Sequence, residues 1–264
     1  MSHERKFVFS LMEVDRVEIL TLILPATDIV SRPPLAKEGT ILADTLLAEH
    51  GLSLLITVYQ GETKHTILLD SGYTKVGVLH NMERLGINAG NIEAIVISHG
   101  HMDHTGSLYA ILDKLPARIP LVLHPGAFVH PRYTRSPDGA MRLWPQTLVQ
   151  DDLEQQNVEI MVSKTPTLIA EDMIMVTGEV ERTTAFEKGM PNALLEQDGE
   201  YVQDPIKDDQ ALVINLAGKG LVVISGCAHA GIVNTVEYAK KLTGQNSIHA
   251  VLGGFHLTGP FFEK

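Results

Sequence analysis

Residues 95–106 read Ile95-Val96-Ile97-Ser98-His99-Gly100-His101-Met102-Asp103-His104-Thr105-Gly106, an apolar run that ends in four potential metal ligands within six positions. The run is rich in β-branched residues and follows the turn-forming Asn88-Ala89-Gly90-Asn91, so it predicts a buried strand. If the chain stays extended, side chains two apart project the same way, and the His99 and His101 imidazoles converge on one point. Asp103 and His104 follow, and a turn at Thr105-Gly106 into the helical pattern that starts at Leu108 re-aims them toward a second point nearby. The pattern predicts two adjacent metal ions. The plainer alternative is a set of unrelated polar residues at a strand end. With 12 His among 264 residues, His-x-His-x-Asp-His arises by chance about once in a thousand such chains, which favours the metal. Neutral imidazole and carboxylate suit zinc, iron and manganese alike, so the identity of the ion stays open.

On the N-terminal side, Leu52 to Tyr59 and His65 to Leu69 are apolar runs joined by Gln60-Gly61-Glu62-Thr63, which predicts a β-hairpin and leaves Asp70 at a strand end. Val17 to Leu24 predicts an earlier strand stopped by Pro25, and Arg32-Pro33-Pro34 marks a loop because consecutive prolines offer no ladder donors. Residues 28–39 are expected to be exposed. Val76 to Leu85 has helical spacing before Gly86, a natural helix stop, and His80 on it reads as structural. On the C-terminal side, Leu108, Ile111, Leu112 and Leu115 form a helix stripe closed by Pro116. Ile119 to Leu123 is then a strand that ends in His124, which is placed either toward the same cavity, in a substrate role, or in a packed loop.

Residues 130–145 depart from periodicity and collect Arg132, Arg135 and Arg142 with Tyr133 and Trp144. Two readings stay open. One is a lid whose forked guanidinium groups hold a phosphate while the aromatic rings stack on a flat ligand. The other is a solvated loop with its aromatics packed inward. Strands are expected at Val158 to Val162 and Met173 to Val176, and the acidic, aperiodic stretch from Pro191 to Pro205 reads as a second flap. Asp208-Asp209-Gln210 precedes a strand at Ala211 to Leu216, and Leu221 to Ile224 forms the next across the Ala217-Gly218-Lys219-Gly220 turn. Ser225-Gly226-Cys227-Ala228-His229 ends that strand, and Ile232, Val233, Val236 and Leu242 supply a helix face behind it, which repeats the order seen at residue 99. His249 to Leu252 is a last strand, His249 itself reading as structural, and Gly253-Gly254-Phe255 delivers His256 to its end.

The central stretch, together with Leu68-Leu69-Asp70-Ser71-Gly72, Asp208-Asp209-Gln210-Ala211-Leu212, Ser225 to Asn234 and Gly253-Gly254-Phe255-His256-Leu257, resembles the metallo-β-lactamase superfamily. Within it these segments resemble the subgroup named for 7,8-dihydropterin-6-methyl-4-(β-D-ribofuranosyl)aminobenzene-5′-phosphate synthase, with coverage from about Val17 to His256. The resemblance implies an α/β fold, the four-layer αββα sandwich, as one domain over residues 1–264, and a centre at one edge holding two divalent ions, zinc foremost with Mn, Fe or Mg as alternatives. It implies that Asp70 orients a histidine ligand rather than binding metal, a role the usual second hydrogen bond of ligating histidines makes physically sensible. A turn aspartate is the alternative. The ligand set expected is His99, His101 and His229 for one ion and Asp103, His104 and His256 for the other, with Asp103 and Asp70 as the expected catalytic residues; Arg132, Arg135 and His124, read from their own stretches of chain, are the expected substrate contacts. The chain departs from the pattern in three places. Glu179 and Glu181 stand where many members carry a third histidine, so that either a carboxylate substitutes or His229 moves in. Cys227 stands where many carry a bridging aspartate, and is read either as a thiolate ligand or as a buried inert thiol. The chain also stops at Lys264, short of a histidine-bearing region of relatives, which leaves a site that is incomplete or closed by a partner chain. The acidic pair Asp208-Asp209 is expected to be structural or to support the ligands.

The implied activity is a dinuclear metal-dependent synthase that transfers a dihydropterin and releases pyrophosphate. The alternatives are a metal-dependent hydrolase of phosphoester, lactone or thioester substrates and a metal-stabilised binding module. The expected partner is a small molecule, phosphorylated or pterin-like; a homo-oligomer is left open. A formal charge of −11 opposes broad electrostatic contact with nucleic acid, which needs a basic surface. A lone cysteine rules out an intrachain disulfide and suits a reducing compartment. The polar start Met-Ser-His-Glu-Arg-Lys-Phe and the absence of an apolar run of membrane-spanning length lead to the expectation of a cytoplasmic protein with no membrane contact.

Overall fold

The computed structural model describes residues 8–23 and 45–256. The loop expected at 28–39 lies outside them. In chain order the first half gives β1 (Glu13–Val14), β2 (Arg16–Ile23), β3 (Ser53–Gln60), β4 (Thr63–Leu69), α1 (Gly77–Arg84), β5 (Ala94–Val96), α2 (Met102–Thr105), α3 (Leu108–Leu112), β6 (Pro120–Leu123), β7 (Arg132–Arg135), β8 (Met141–Leu143), α4 (Gln150–Glu154) and β9 (Glu159–Val162). The second half gives β10 (Thr167–Ile169), β11 (Ile174–Val176), β12 (Ala193–Gln197), β13 (Glu200–Gln203), β14 (Ala211–Leu216), β15 (Gly220–Ser225), α5 (Ile232–Thr243) and β16 (Ile248–Leu252).

Two large sheets result, one ordered β2-β3-β4-β5-β6-β9 and the other β10-β11-β14-β15-β16 with β1 paired to β14. Their central strands are apolar on both faces where they pack, and the period of two divides them between two cores. Ile67, Leu69, Val96 and Val122 of the first sheet pack with Ile174, Leu212, Ile214, Val222 and Ile224 of the second, forming the layer between the sheets. The intervening residues face outward. Leu68, Ile95, Leu121 and Leu123 are covered by Val78 and Met82 of α1, Leu108 and Ile111 of α3, and Leu153 of α4. Leu221, Val223 and Val213 are covered by Ala239 and Leu242 of α5. Helix, sheet, sheet, helix is therefore the layer order, and strands that bury both faces must read as continuous apolar runs. Gly86 and Gly244 end α1 and α5 at φ of 68° and 70°. The N-terminus of α5 lacks a side-chain cap of its own; the Val233 and Asn234 amides instead donate to the Glu187 carboxylate at 2.8 Å each. A carboxylate there satisfies orphan donors and complements the helix dipole.

The two stretches expected to be irregular are not. Residues 130–145 contain the β7–β8 hairpin, with Tyr133 opposite Leu143 and Arg135 opposite Met141, and residues 191–205 contain β12–β13. Antiparallel pairing of β12 with β7 joins both hairpins into one four-stranded sheet, β13-β12-β7-β8. Charged residues on both of its faces, Arg132 and Arg142 on one and Arg135 on the other, hide the alternation that a strand normally shows. The short β10 and α4 were likewise not expected, having three and five residues with little period to read. No helix among the described residues is long and apolar enough to cross a membrane.

Ile214, fully buried between the sheets, is expected to lose about 2–5 kcal/mol of stability on Ile214→Ala. Leu20→Ala, on the edge strand β2 and 41% exposed, should lose no more than about 0.5 kcal/mol. Urea unfolding of the two variants beside the unaltered protein measures both values.

Candidate metal centre

One end of the sandwich collects the chemically active residues, for a topological reason. β4, β5 and β6 run parallel, as do β15 and β16, while β14 runs antiparallel to β15, so Ala211 lies opposite Ser225. The carboxyl ends of β4, β5, β15 and β16 and the start of β14 therefore open on one edge, the usual position of sites in open α/β sheets. Asp70 leaves β4 with φ 60° and is fully buried. Its Oδ1 accepts from the Ser98 amide at 2.7 Å, and its Oδ2 accepts from the Ser98 hydroxyl and from His104 Nδ1, each at 2.6 Å. With the proton held on Nδ1, His104 turns Nε2 to within 3.1 Å of the Cys227 sulfur and 3.5 Å of Asp103 Oδ2.

Around this axis four imidazoles share one buried space. The His99 ring centroid lies 4.3 Å from that of His101, 4.2 Å from His104 and 4.8 Å from His229, and His256 stacks on His229 at 5.4 Å. Gly253 makes the last contact possible. Its φ of 152° and the crowding of a notional Cβ by the Ser225 and Gly226 carbonyls admit glycine alone, and Gly254 then donates to the Gly226 carbonyl at 2.8 Å. Gly226 is constrained from the other side, since a Cβ there would strike the Ser98 hydroxyl. Two groups of donor atoms lie within 4.8 Å of one another, His99 with Cys227 and His229, and Asp103 with His104 and Cys227. The Cys227 thiol is common to both. The sequence left its role open between a thiolate ligand and an inert thiol, its signal being a place where many relatives of the resembled superfamily carry a bridging aspartate.

Burial, followed by the neighbouring imidazoles, holds the His99, His101 and His229 pKa values well below the ordinary value, so the rings are uncharged and offer lone pairs. For His104 burial pulls the same way, but Cys227, Asp70 and Asp103 outweigh it and raise its pKa. Burial works against the Asp103 carboxylate, yet His104 and then His50, whose Nε2 lies 3.3 Å away, keep it well below the usual carboxylate range. The buried Nε2 atoms of His101 and His229 have no hydrogen-bond partner. Buried polar atoms are seldom left so, and neutral nitrogen, carboxylate and sulfur donors together fit a divalent metal of the zinc type.

The pair Asp208-Asp209 grips the ligand loops from behind. Asp208 Oδ2 accepts from the Gly100 amide, between His99 and His101, at 2.7 Å; Asp209 Oδ2 accepts from the Ala230 amide, next to His229, at 2.7 Å. Gln210 adds its side chain to the Ile97 carbonyl at 2.8 Å and its amide to the Ser98 carbonyl at 3.0 Å. Burial raises the Asp209 carboxyl to about 7.

Arg132 corrects the expected phosphate clamp. It is buried, its Nη2 donates to Asp208 Oδ1 at 2.7 Å and to the Gly126 carbonyl at 2.9 Å, and its Nε lies 3.3 Å from Asp204, so its charge is held by two carboxylates inside the protein although Nε and Nη1 make no hydrogen bond. Arg135 is exposed three residues along the same strand, where an odd spacing turns it to the opposite face, so the two cannot close on one anion. His124 is buried, its Nδ1 accepts from Gly126 at 2.9 Å, and its Nε2 lies 3.7 Å from Glu179. It caps a turn beside Asp208 instead of joining the histidine cluster. Glu181 is paired with Lys241 at 2.7 Å, and of the two readings at that position the geometry brings His229, not a carboxylate, to the cluster.

Trp144 places its ring edge-on to His101 at 4.2 Å, and its amide donates to the Arg132 carbonyl, so the small sheet walls one side of the centre. A cavity of about 350 Å³ lies beside Ala230, lined by Glu179, Arg182, Ile206, Lys207 and Asp209 among others, a volume within the range of small-molecule sites.

Comparison with known proteins agrees with this geometry. Residues 48–170 match the family described as the metallo-beta-lactamase superfamily. The chain is 34% identical over 213 residues to 7,8-dihydropterin-6-methyl-4-(beta-D-ribofuranosyl)-aminobenzene-5′-phosphate synthase of Methanocaldococcus jannaschii, an overlap of 80% of this chain and 71% of that protein. It is 32% identical over 212 residues to an uncharacterized protein of the same organism, covering 80% and 74%. The crystal structure of Tm1679, described as a metal-dependent hydrolase of the beta-lactamase superfamily, superposes with a TM-score of 0.65 at 24% identity over 93% of this chain and 78% of that one. The sandwich, the edge where its strand ends meet and the histidine motif found there agree with these matches: the chain belongs to the metallo-β-lactamase superfamily.

Proposed function

We propose that this protein is an enzyme with a centre for two divalent metal ions, zinc foremost, which joins a dihydropterin to an aminobenzene ribofuranosyl phosphate. The observation that carries the two-ion reading is the Cys227 thiol, the shared vertex of two donor groups. His99, His101 and His229 would hold one ion and Asp103, His104 and His256 the other, with Cys227 between them. The choice of reaction is supported by the 34% identity to the methanogen synthase.

In such a transfer the carbon–oxygen bond between the pterin methylene and diphosphate breaks and diphosphate leaves with the bonding electrons. An aryl carbon or the amine of the aminobenzene partner bonds to the methylene, and the displaced proton passes to solvent. When bound, divalent cations supply Lewis acidity toward the anionic oxygens. The chain's own residues do the rest. Burial keeps three imidazoles uncharged, Asp70 fixes the His104 tautomer through Nδ1, and Trp144 excludes water on the side of His101. With Arg132 held in its ion pairs with Asp204 and Asp208, the exposed Lys207, which lines the cavity beside Ala230, is the cation we assign to a substrate phosphate.

The direct test incubates the metal-loaded protein with dihydropterin diphosphate and the aryl ribosyl phosphate, beside a panel of phosphoesters, lactones and thioesters. Coupled product with release of pyrophosphate is expected; turnover of the panel without coupling would establish a hydrolase instead. Elemental analysis of variants tests the centre. His229→Ala and His104→Ala should each deplete one ion, whereas Cys227→Ala depletes both together; unchanged metal content in all three contradicts the assignment. Trp144, the only tryptophan, should report loading, its fluorescence being quenched when cobalt(II) is titrated into metal-free protein and unaffected by the same titration of His101→Ala, His229→Ala.

A further inference from the structure

We propose that Asp208 and Asp209 are positioning residues that preset the spacing of the two histidine loops before any metal arrives. The proposal rests on the reading of the centre as a metal site and extends it to residues that touch neither metal nor substrate. Each carboxylate is buried, at 1% exposure, and each ties down one backbone amide, Gly100 for Asp208 and Ala230 for Asp209, at 2.7 Å. Those amides belong to different sheets. Gly100 lies between His99 and His101 beyond β5, and Ala230 follows His229 beyond β15. One peptide unit thus links the loop that carries two imidazoles to the loop that carries Cys227 and the opposing imidazole. Both loops are thereby anchored on adjacent residues of one backbone segment.

The two aspartates are not equivalent, and the difference makes the idea testable. Asp208 uses both oxygens as acceptors, Oδ2 for Gly100 and Oδ1 for the Arg132 guanidinium. An asparagine there must turn its NH2 toward one of two donors, so it cannot satisfy both. Asp209 uses Oδ2 for Ala230 and leaves Oδ1 buried with no hydrogen-bond partner. An asparagine there can keep its oxygen on Ala230 and put NH2 at the position from which no donor is accepted. The same chemical change is therefore disruptive at one position and tolerated at its neighbour. Arg132 supplies the control. Replacing it with methionine removes the competing donor, so that an asparagine at 208 is free to give its oxygen to Gly100.

The experiment has two readouts. In metal-free protein, hydrogen exchange of the 95–106 and 226–232 segments reports whether the amides are held; in titrations with zinc alone, a competing chelator reports affinity. Asp208→Asn should accelerate exchange around Gly100, and Asp209→Ala around Ala230, each weakening zinc binding by about 10- to 100-fold, as loss of supporting partners does at metal sites. Asp209→Asn should keep the protection and the affinity that Asp209→Ala loses, and Arg132→Met should restore to Asp208→Asn the protection of Gly100. Equal behaviour of the two asparagine variants, or exchange and zinc affinity unchanged in Asp208→Asn and Asp209→Ala, overturns the proposal. Failure of the unaltered protein to take up zinc would instead strike at the metal reading, while the exchange data still decide whether the clamp exists. Circular dichroism of the double variant Arg132→Met, Asp208→Asn separates lost positioning from lost folding.

Discussion

A fully buried carboxylate must find donors for both oxygens, and Asp70 finds them on separate segments of the sandwich edge. Ser98 contributes its amide and hydroxyl, and His104 contributes its ring N–H. Charge-assisted hydrogen bonds of this kind are short and strong, and losing one donor would leave a charge stranded in a dry interior. The strand end at β4 is thereby welded to the strand end at β5, and the short helix that follows is held in place. Everything else at the centre is arranged against this weld. Gly226 fits over it only because it has no side chain, and Cys227 is carried to His104 as a result.

Much of this was legible from the chain. Continuous apolar runs at 67–69, 95–97, 211–214 and 221–224 gave strands buried on both faces, and the histidine spacing after residue 97 pointed to a centre at a strand end. Asp70, His229 and His256 sit at comparable strand ends, which explains why residues far apart in sequence meet. What the chain concealed has a common cause. Arg132, Asp204 and Asp208 look like surface charges in a polar segment, and only the fold shows that they neutralise one another in the interior. Side chains read one at a time carry no sign of the partner that buries them. The small sheet was hidden for a related reason, since β7 pairs with β12 across about sixty intervening residues and no local pattern announces such a partner.

The same ion pairs connect the small sheet to the centre. Arg132 belongs to β7, yet its charge is spent on Asp208, which holds the Gly100 amide, while the Arg132 carbonyl receives the Trp144 amide. The wall beside His101 and the loop that carries His101 thus share one buried arginine. Removing one partner from such a pair is costly, about 3–5 kcal/mol, because the other charge is left without compensation.

Cys227 has a further consequence for the lifetime of the protein. As the only sulfur of its kind in the chain, it has no second thiol nearby with which to form a reversible bridge. An oxidant small enough to enter would carry it up the sulfenic, sulfinic and sulfonic series with no internal route back. The thiol chemistry of the molecule is concentrated on one atom, and a cation seated there would also be its shield.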